Sequence, residues 1–180
     1  ELALKQNGNC LQYVNKQNKN LCETAILNSP YALQYVRKQT EDLCLMAVRK
    51  KGETLQYVNY QTPLVCLEAV KQDGMALRFV KEQTKEICIA AVGQNGNSLQ
   101  YVKKQTKEIA LLAILRNPIA IKYVKEQTED LCLTAVSRNG LAIEFVKEQT
   151  KLVCMEALKQ NPDCLQYIKQ NNSEYKVEAI

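Results

Sequence analysis

The amino-acid sequence predicts an all-α fold, an α-solenoid of eight tandem 22-residue units with two short helices in each. Three observations predict it. A Leu-Gln-Tyr-Val motif or a close variant begins at Leu11, Leu33, Leu55, Leu77, Leu99, Ile121, Ile143 and Leu165, always 22 residues apart. A fixed period of about 20–50 residues is the signature of stacked supersecondary units. Two columns of cap-forming residues lie 11 positions apart and divide every unit in half. Each half then carries apolar residues at helical spacing.

The first cap column reads Asn7, Ser29, Lys51, Asp73, Asn95, Asn117, Asn139 and Asn161. All but Lys51 have a short polar side chain that can accept from an unpaired N–H at a helix start. The next column mixes glycine (Gly8, Gly52, Gly74, Gly96, Gly140) with proline (Pro30, Pro118, Pro162). Proline holds φ near about −65°, so this position needs no left-handed backbone, and proline suits a first helical turn. A first helix, A, is therefore expected over Gly96–Gln105 in the fifth unit, with Ser98, Leu99, Tyr101 and Val102 on its inner stripe.

The second cap column is Asn18, Thr40, Thr62, Thr84, Thr106, Thr128, Thr150 and Asn172. Pro63 follows Thr62, and acidic residues follow the caps at Glu41, Asp42, Glu86, Glu108, Glu129 and Asp130, where they favour the helix dipole. One continuous helix per unit would place Pro63 in its interior, at a cost of about 3 kcal/mol. A second helix, B, is expected over Lys107–Arg116, the more buried of the two, with Ile109, Ala110, Leu111, Ala113 and Ile114 spread round it. Alanine recurs at 25, 47, 69, 91, 113, 135, 157 and 179, which predicts close helix contact. Helices this short are not stable alone in water, so each unit depends on its neighbours.

These residues, "LQYVKKQT" at 99–106 with halves of the "ICIAAV" type at 87–92, resemble the α-helical repeats catalogued as domain of unknown function 4116. That family is associated with amoeba-dwelling bacteria and giant viruses. The resemblance covers essentially the whole chain. It implies a helical repeat and carries no catalytic residues to transfer.

With 46% apolar and 24% charged residues the chain is globular in composition, and no apolar run approaches the roughly 20 residues that cross a bilayer. The opening "ELALKQNG" matches the interior of a later unit, and the closing "KVEAI" also falls inside one. Residues 1–180 thus read as a single helical array truncated at both ends, a fragment of a longer protein.

Candidate chemistry lies in the columns. Cys22, Cys44, Cys66, Cys88, Cys132 and Cys154 share one, with Ala110 in the fifth unit; Cys10 and Cys164 share another. Stacked units lie about 10 Å apart, whereas a disulfide needs Cα atoms within about 7 Å. Column neighbours cannot pair, and a line of thiols is not a zinc cluster. Buried reduced thiols are expected, which suits a cytoplasmic setting, of a bacterium or of a host cell if the protein is a secreted effector. Gln17, Gln39, Gln61, Gln83, Gln105, Gln127 and Gln149, with Asn171, are expected to bond carbonyls at the end of helix A or to bridge to the next unit. Tyr13, Tyr35, Tyr57, Phe79, Tyr101, Tyr123, Phe145 and Tyr167 read as semi-buried packing, because Phe79 and Phe145 dispense with the hydroxyl.

A basic column, Arg37, Lys81, Lys103, Lys125, Lys147 and Lys169, is the best candidate for a partner-binding strip, with Asn15 and Asn59 in the other units. The chain has no histidine, hence no Ser/His/Asp or Cys/His constellation, and it has no glycine-rich phosphate loop after a strand. The sequence points to a non-catalytic repeat scaffold that binds another protein and needs no metal or cofactor. Two alternatives stay open: nucleic-acid binding along the basic row, which the net charge of +5 permits, or a repeat segment of a larger effector or toxin whose active domain lies elsewhere. If the row is only a solvated face, the variable helix B positions Thr24, Met46, Glu68 and Leu112 are the next candidates.

Overall fold

A computed structural model describes residues 2–169, all of whose regular elements are helical. The chain divides into two compact units, residues 1–94 and 95–180. The first contains α1 (Leu2–Gln6), η1 (Gly8–Tyr13), α2 (Lys19–Asn28), η2 (Pro30–Tyr35), α3 (Glu41–Lys50), η3 (Gly52–Tyr57), α4 (Pro63–Gln72), η4 (Gly74–Phe79) and α5 (Lys85–Gln94), where η denotes a 3-10 helix. The second contains η5 (Gly96–Tyr101), α6 (Lys107–Arg116), η6 (Pro118–Tyr123), α7 (Glu129–Arg138), η7 (Gly140–Phe145), α8 (Lys151–Gln160) and η8 (Pro162–Tyr167). Within each unit, successive α-helices pack side by side, successive 3-10 helices do the same, and each 3-10 helix lies against the α-helices that flank it. Each unit is thus a stack of two-helix repeats, the expected solenoid.

Helix B forms as expected over Lys107–Arg116. Helix A does not. In place of an α-helix over Gly96–Gln105 there is a six-residue 3-10 helix, Gly96–Tyr101, which ends in extended backbone at Val102. The apolar spacing explains the difference. Gly96, Leu99 and Val102 are buried and lie three apart, while Gln100 and Lys103, each four beyond a buried position, are exposed. A 3-10 turn superposes i and i+3, whereas an α-helical stripe would also need i+4 inside. The same triplet recurs as Gly8-Leu11-Val14, Pro30-Leu33-Val36 and Pro118-Ile121-Val124.

The caps work largely as predicted. Asn18 accepts from Leu21 N–H at 2.9 Å, Thr62 from Val65 at 3.3 Å and Thr106 from Ile109 at 3.3 Å. Asn95 and Asn117 cap their 3-10 helices through Asn97 and Ile119 N–H. Ser29 and Thr128 make no side-chain cap bond. Asn171, Asn172 and Ala179 lie outside the described residues.

The alanine column is fully buried from Ala25 to Ala157, and its reason is close approach. A Cβ added to Gly8, Gly52, Gly96 or Gly140 would sit 2.2, 2.4, 2.6 or 2.6 Å from the carbonyl oxygen of Ala25, Ala69, Ala113 or Ala157, respectively, in the following α-helix. No glycine among the described residues has positive φ, as the proline-glycine alternation requires. Leu111 departs from expectation: it was placed among the buried residues of helix B and is 36% exposed.

Candidate functional site

Each repeat turns at the stretch between its 3-10 helix and its α-helix, and the candidate residues gather there. Gln127 organises one such turn. Its amide nitrogen donates to the Ile121 carbonyl at 2.9 Å and to the Phe145 carbonyl at 3.1 Å, and its oxygen accepts from Lys147 N–H at 2.8 Å. Two of the three bonds cross to the next repeat. Gln39 and Gln149 make the equivalent three, and Gln17 and Gln105 do so with their first bond at 3.4 and 3.2 Å, respectively. Both structural roles anticipated for this column, carbonyl capping and bridging, are therefore performed by one amide. An amide alone can donate twice and accept at once.

The thiols lie behind the glutamines. Cys22, Cys44 and Cys66 point Sγ toward the side-chain oxygen of Gln17, Gln39 and Gln61 at 3.9, 3.8 and 3.7 Å, the range of a weak S–H donor. All eight cysteines are free thiols, and seven of them are buried. Burial, with the Glu41 charge second, pushes the Cys44 thiol up to about 11; burial also raises Cys66 and Cys132. These are protonated, unreactive thiols. Among the described residues no group of three or more Cys, Asp or Glu gathers as a metal site would need.

The basic column is exposed throughout. Arg37 and Lys81 belong to the first unit, Lys103, Lys125, Lys147 and Lys169 to the second. Arg37, Lys81, Lys125, Lys147 and Lys169 reach along their stacks rather than straight into solvent. Arg37 donates to the Asn15 carbonyl at 2.7 Å and Lys81 to the Asn59 carbonyl at 3.3 Å. Lys125 donates to the carbonyl of Lys103 at 3.0 Å, Lys147 to that of Lys125 at 2.9 Å, and Lys169 to that of Lys147. Each of these five also lends its backbone N–H to a glutamine of the preceding repeat. The row is both a line of surface charge and part of the inter-repeat ladder.

Beside it runs a recurring groove. In the first unit one groove of about 520 Å³ is walled by Lys16, Lys19, Arg37 and Lys38 over Cys22 and Leu43, with no carboxylate in its lining. A second, of about 210 Å³, has Tyr60 and Pro63 where charges stand elsewhere, opposite Lys81 and Glu82. In the second unit a groove of about 180 Å³ is walled by Lys103, Lys107 and Lys125, with Glu126, over Ala110, Val124 and Leu131. All three occupy the same phase of the repeat; two of them have a rim of several cations, and the Tyr60 groove has Lys81 alone beside Glu82.

The aromatic column is half-buried from Tyr35 to Tyr167. Cations lie over three of its rings: Arg78 Cζ is 4.6 Å from the Phe79 centroid, and Lys122 Nζ is 4.8 Å from that of Tyr123 and 5.5 Å from that of Phe145. One surface the sequence reading missed is the outer face of the α-helices. Leu45, Leu67 and Ile89 in the first unit, and Leu111, Leu133 and Met155 in the second, form a column that stays apolar while partly exposed. The signal was present as a fifth-position Leu, Ile or Met; it was absorbed into the buried face because α-helix B was taken as apolar nearly all round. Of the variable positions beside it, Glu68 is held by Arg49 at 2.8 Å and Lys71 at 3.3 Å, which keep its carboxyl below the usual range.

A family model described as domain of unknown function, DUF4116, matches residues 1–40, 63–105, 84–128, 106–151 and 128–172. The chain belongs to this repeat family. A search of curated proteins and a search of solved structures each return no match.

Proposed function

We propose that this chain is a non-catalytic repeat scaffold that binds another protein along the edge that carries Arg37 and Lys81 in the first unit or the edge that carries Lys103, Lys125, Lys147 and Lys169 in the second. The observation that carries this reading is the groove: a cationic rim over a narrow apolar floor stands at the same phase of the repeat in each unit, at Arg37 in the first and at Lys103 and Lys125 in the second. Such a strip suits a long ligand that makes a similar contact at each step, as solenoids do with polypeptides. The chain has no histidine and its thiols beside this edge are buried, which leaves no Cys/His pair there. Reduced thiols also favour a cytoplasmic setting.

A photo-crosslinking amino acid at Glu126, beside the row, should give protein adducts in cells that express the full chain. The same residue at Ser137, an exposed position of α7, should not. Combined charge reversal at Lys103, Lys125 and Lys147 should abolish the Glu126 adducts. Nuclease-sensitive adducts, or equal yields from both positions, would contradict the proposal.

A further inference from the structure

The row in the second unit has a pitch, and pitch selects a ligand conformation. Lys125 Nζ is tied to the Lys103 carbonyl at 3.0 Å and Lys147 Nζ to the Lys125 carbonyl at 2.9 Å. The cations are therefore held in file at the spacing of packed helices, about 8–10 Å. One of the three N–H donors of the Lys125 ammonium serves its carbonyl, which leaves charge and donors for a ligand.

A ligand that follows this file must offer a negative group about every 8–10 Å. An extended β-strand advances about 3.3 Å per residue, so three residues fit one step. Residues three apart in a strand, however, point to opposite faces. A polyproline II helix has three residues per turn and a rise of about 3.1 Å, so every third side chain returns to the same face after about 9 Å. That matches the step in both distance and direction. Between Lys103 and Lys125 the groove runs over Ala110, Val124 and Leu131, a narrow apolar seam whose residues are at most 3% exposed, so proline or small aliphatic residues suit the other two positions of that turn. A strand of DNA carries a phosphate about every 3.4 Å, and a row of this pitch would leave most of them unmatched.

We infer that the row Lys103, Lys125, Lys147 and Lys169 binds an acidic polyproline II segment of a partner protein, one carboxylate per three residues, with each carboxylate on one lysine and, between Lys103 and Lys125, the intervening apolar residues over the groove. The inference rests on the protein-binding reading above and specifies the partner's chemistry and register.

The test uses the full chain and two fluorescent peptides of identical composition. One has four Glu-Pro-Pro triplets, one for each lysine of the row; the other has its glutamates gathered at one end. Anisotropy at low and at physiological salt should give the triplet peptide at least tenfold the affinity of the block peptide. Lys125→Gln with Lys147→Gln, which keeps a side-chain donor and removes the charge, should lower triplet affinity at least tenfold and flatten its salt dependence. Lys125→Glu with Lys147→Glu should do more, with the helical circular dichroism as the control for folding. Equal affinity for the two peptides overturns the register and leaves the protein-binding reading standing. Unchanged triplet affinity in both lysine variants overturns the assignment to this row. Tighter binding of single-stranded oligothymidylate than of the triplet peptide, lost in the same variants, would overturn both readings in favour of nucleic acid.

Discussion

Replacing Gln127 with leucine removes one residue's worth of inter-repeat bonding without changing the apolar core. Three bonds go: to the Ile121 carbonyl at 2.9 Å, to the Phe145 carbonyl at 3.1 Å, and from Lys147 N–H at 2.8 Å. Each such bond is worth about 0.5–1.5 kcal/mol net, and a desolvated group left unpaired costs about 1–3 kcal/mol. Gln127 is half-buried, so water can rescue part of the loss, and the expected destabilisation is about 3 kcal/mol by these magnitudes. Denaturant unfolding of the full chain, followed by far-ultraviolet circular dichroism, measures it. Gln127→Glu separates bonding from shape. Its carboxylate still accepts from Lys147 N–H but confronts two carbonyl oxygens. That confrontation raises the new carboxyl's pKa in the folded state above its unfolded value. The variant should therefore be least stable at neutral pH and recover as pH falls through the raised pKa, because protonation restores one donor. An exposed control, Glu126→Gln, should stay within about 0.5 kcal/mol of the parent. If Gln127→Leu also stays within about 0.5 kcal/mol, water replaces these bonds without loss and the glutamine ladder does not hold the repeats together.

Gly52→Ala should destabilise by about 1–3 kcal/mol, since its Cβ would meet the Ala69 carbonyl at 2.4 Å, whereas Gly93→Ala, with nothing within 4 Å, should stabilise by about 0.5–1 kcal/mol in the same unfolding assay. The Gly52 N–H donates to Gln72 Oε1 at 2.5 Å, while in the proline repeat Lys50, at the equivalent α-helix position, donates to the Leu27 carbonyl at 2.6 Å. Gly52→Pro should accordingly cost less in a Gln72→Lys background than alone, and a coupling energy near zero in that double-mutant cycle counts against the pairing. Cys44 should label slowly with a thiol reagent in the native state and fast in denaturant. Its folded pKa of about 11 lies above the ordinary 9.0, so its contribution is present at neutral pH and is lost as pH rises from about 9 to about 11; Cys44→Ala should flatten that part of the stability curve. Rapid labelling of native Cys44 at neutral pH would refute its burial.

Period, helix number and the interior were legible in the sequence because they depend on spacing. A 22-residue period with two cap columns places a helix start at Gly96 and another after Thr106, and both form there. The columns of alanine, cysteine and valine declared the core because small or apolar residues recurred at one phase, and among the described residues all but Cys10 and Val14 are buried. The glutamine roles were legible too, since a polar residue at a helix end with no charge to spend has few other uses.

What the tertiary structure decided was decided between repeats. Helix A is a 3-10 helix in which Gly96, Leu99 and Val102 are buried at three-residue spacing, with Ser98 buried beside them. Glycine at 96 answers to the Ala113 carbonyl, 17 positions downstream, and no local rule reveals that approach. The basic row read as a line of charge on one face, and only the structure ties each of Lys125, Lys147 and Lys169 to the backbone of the lysine one repeat earlier. A contact across a repeat boundary depends on the pitch of the stack, and pitch comes from the packing of all side chains at the interface. The sequence therefore determined which residues recur and which are apolar. Only the folded stack fixed their separation, and so the spacing a ligand must match.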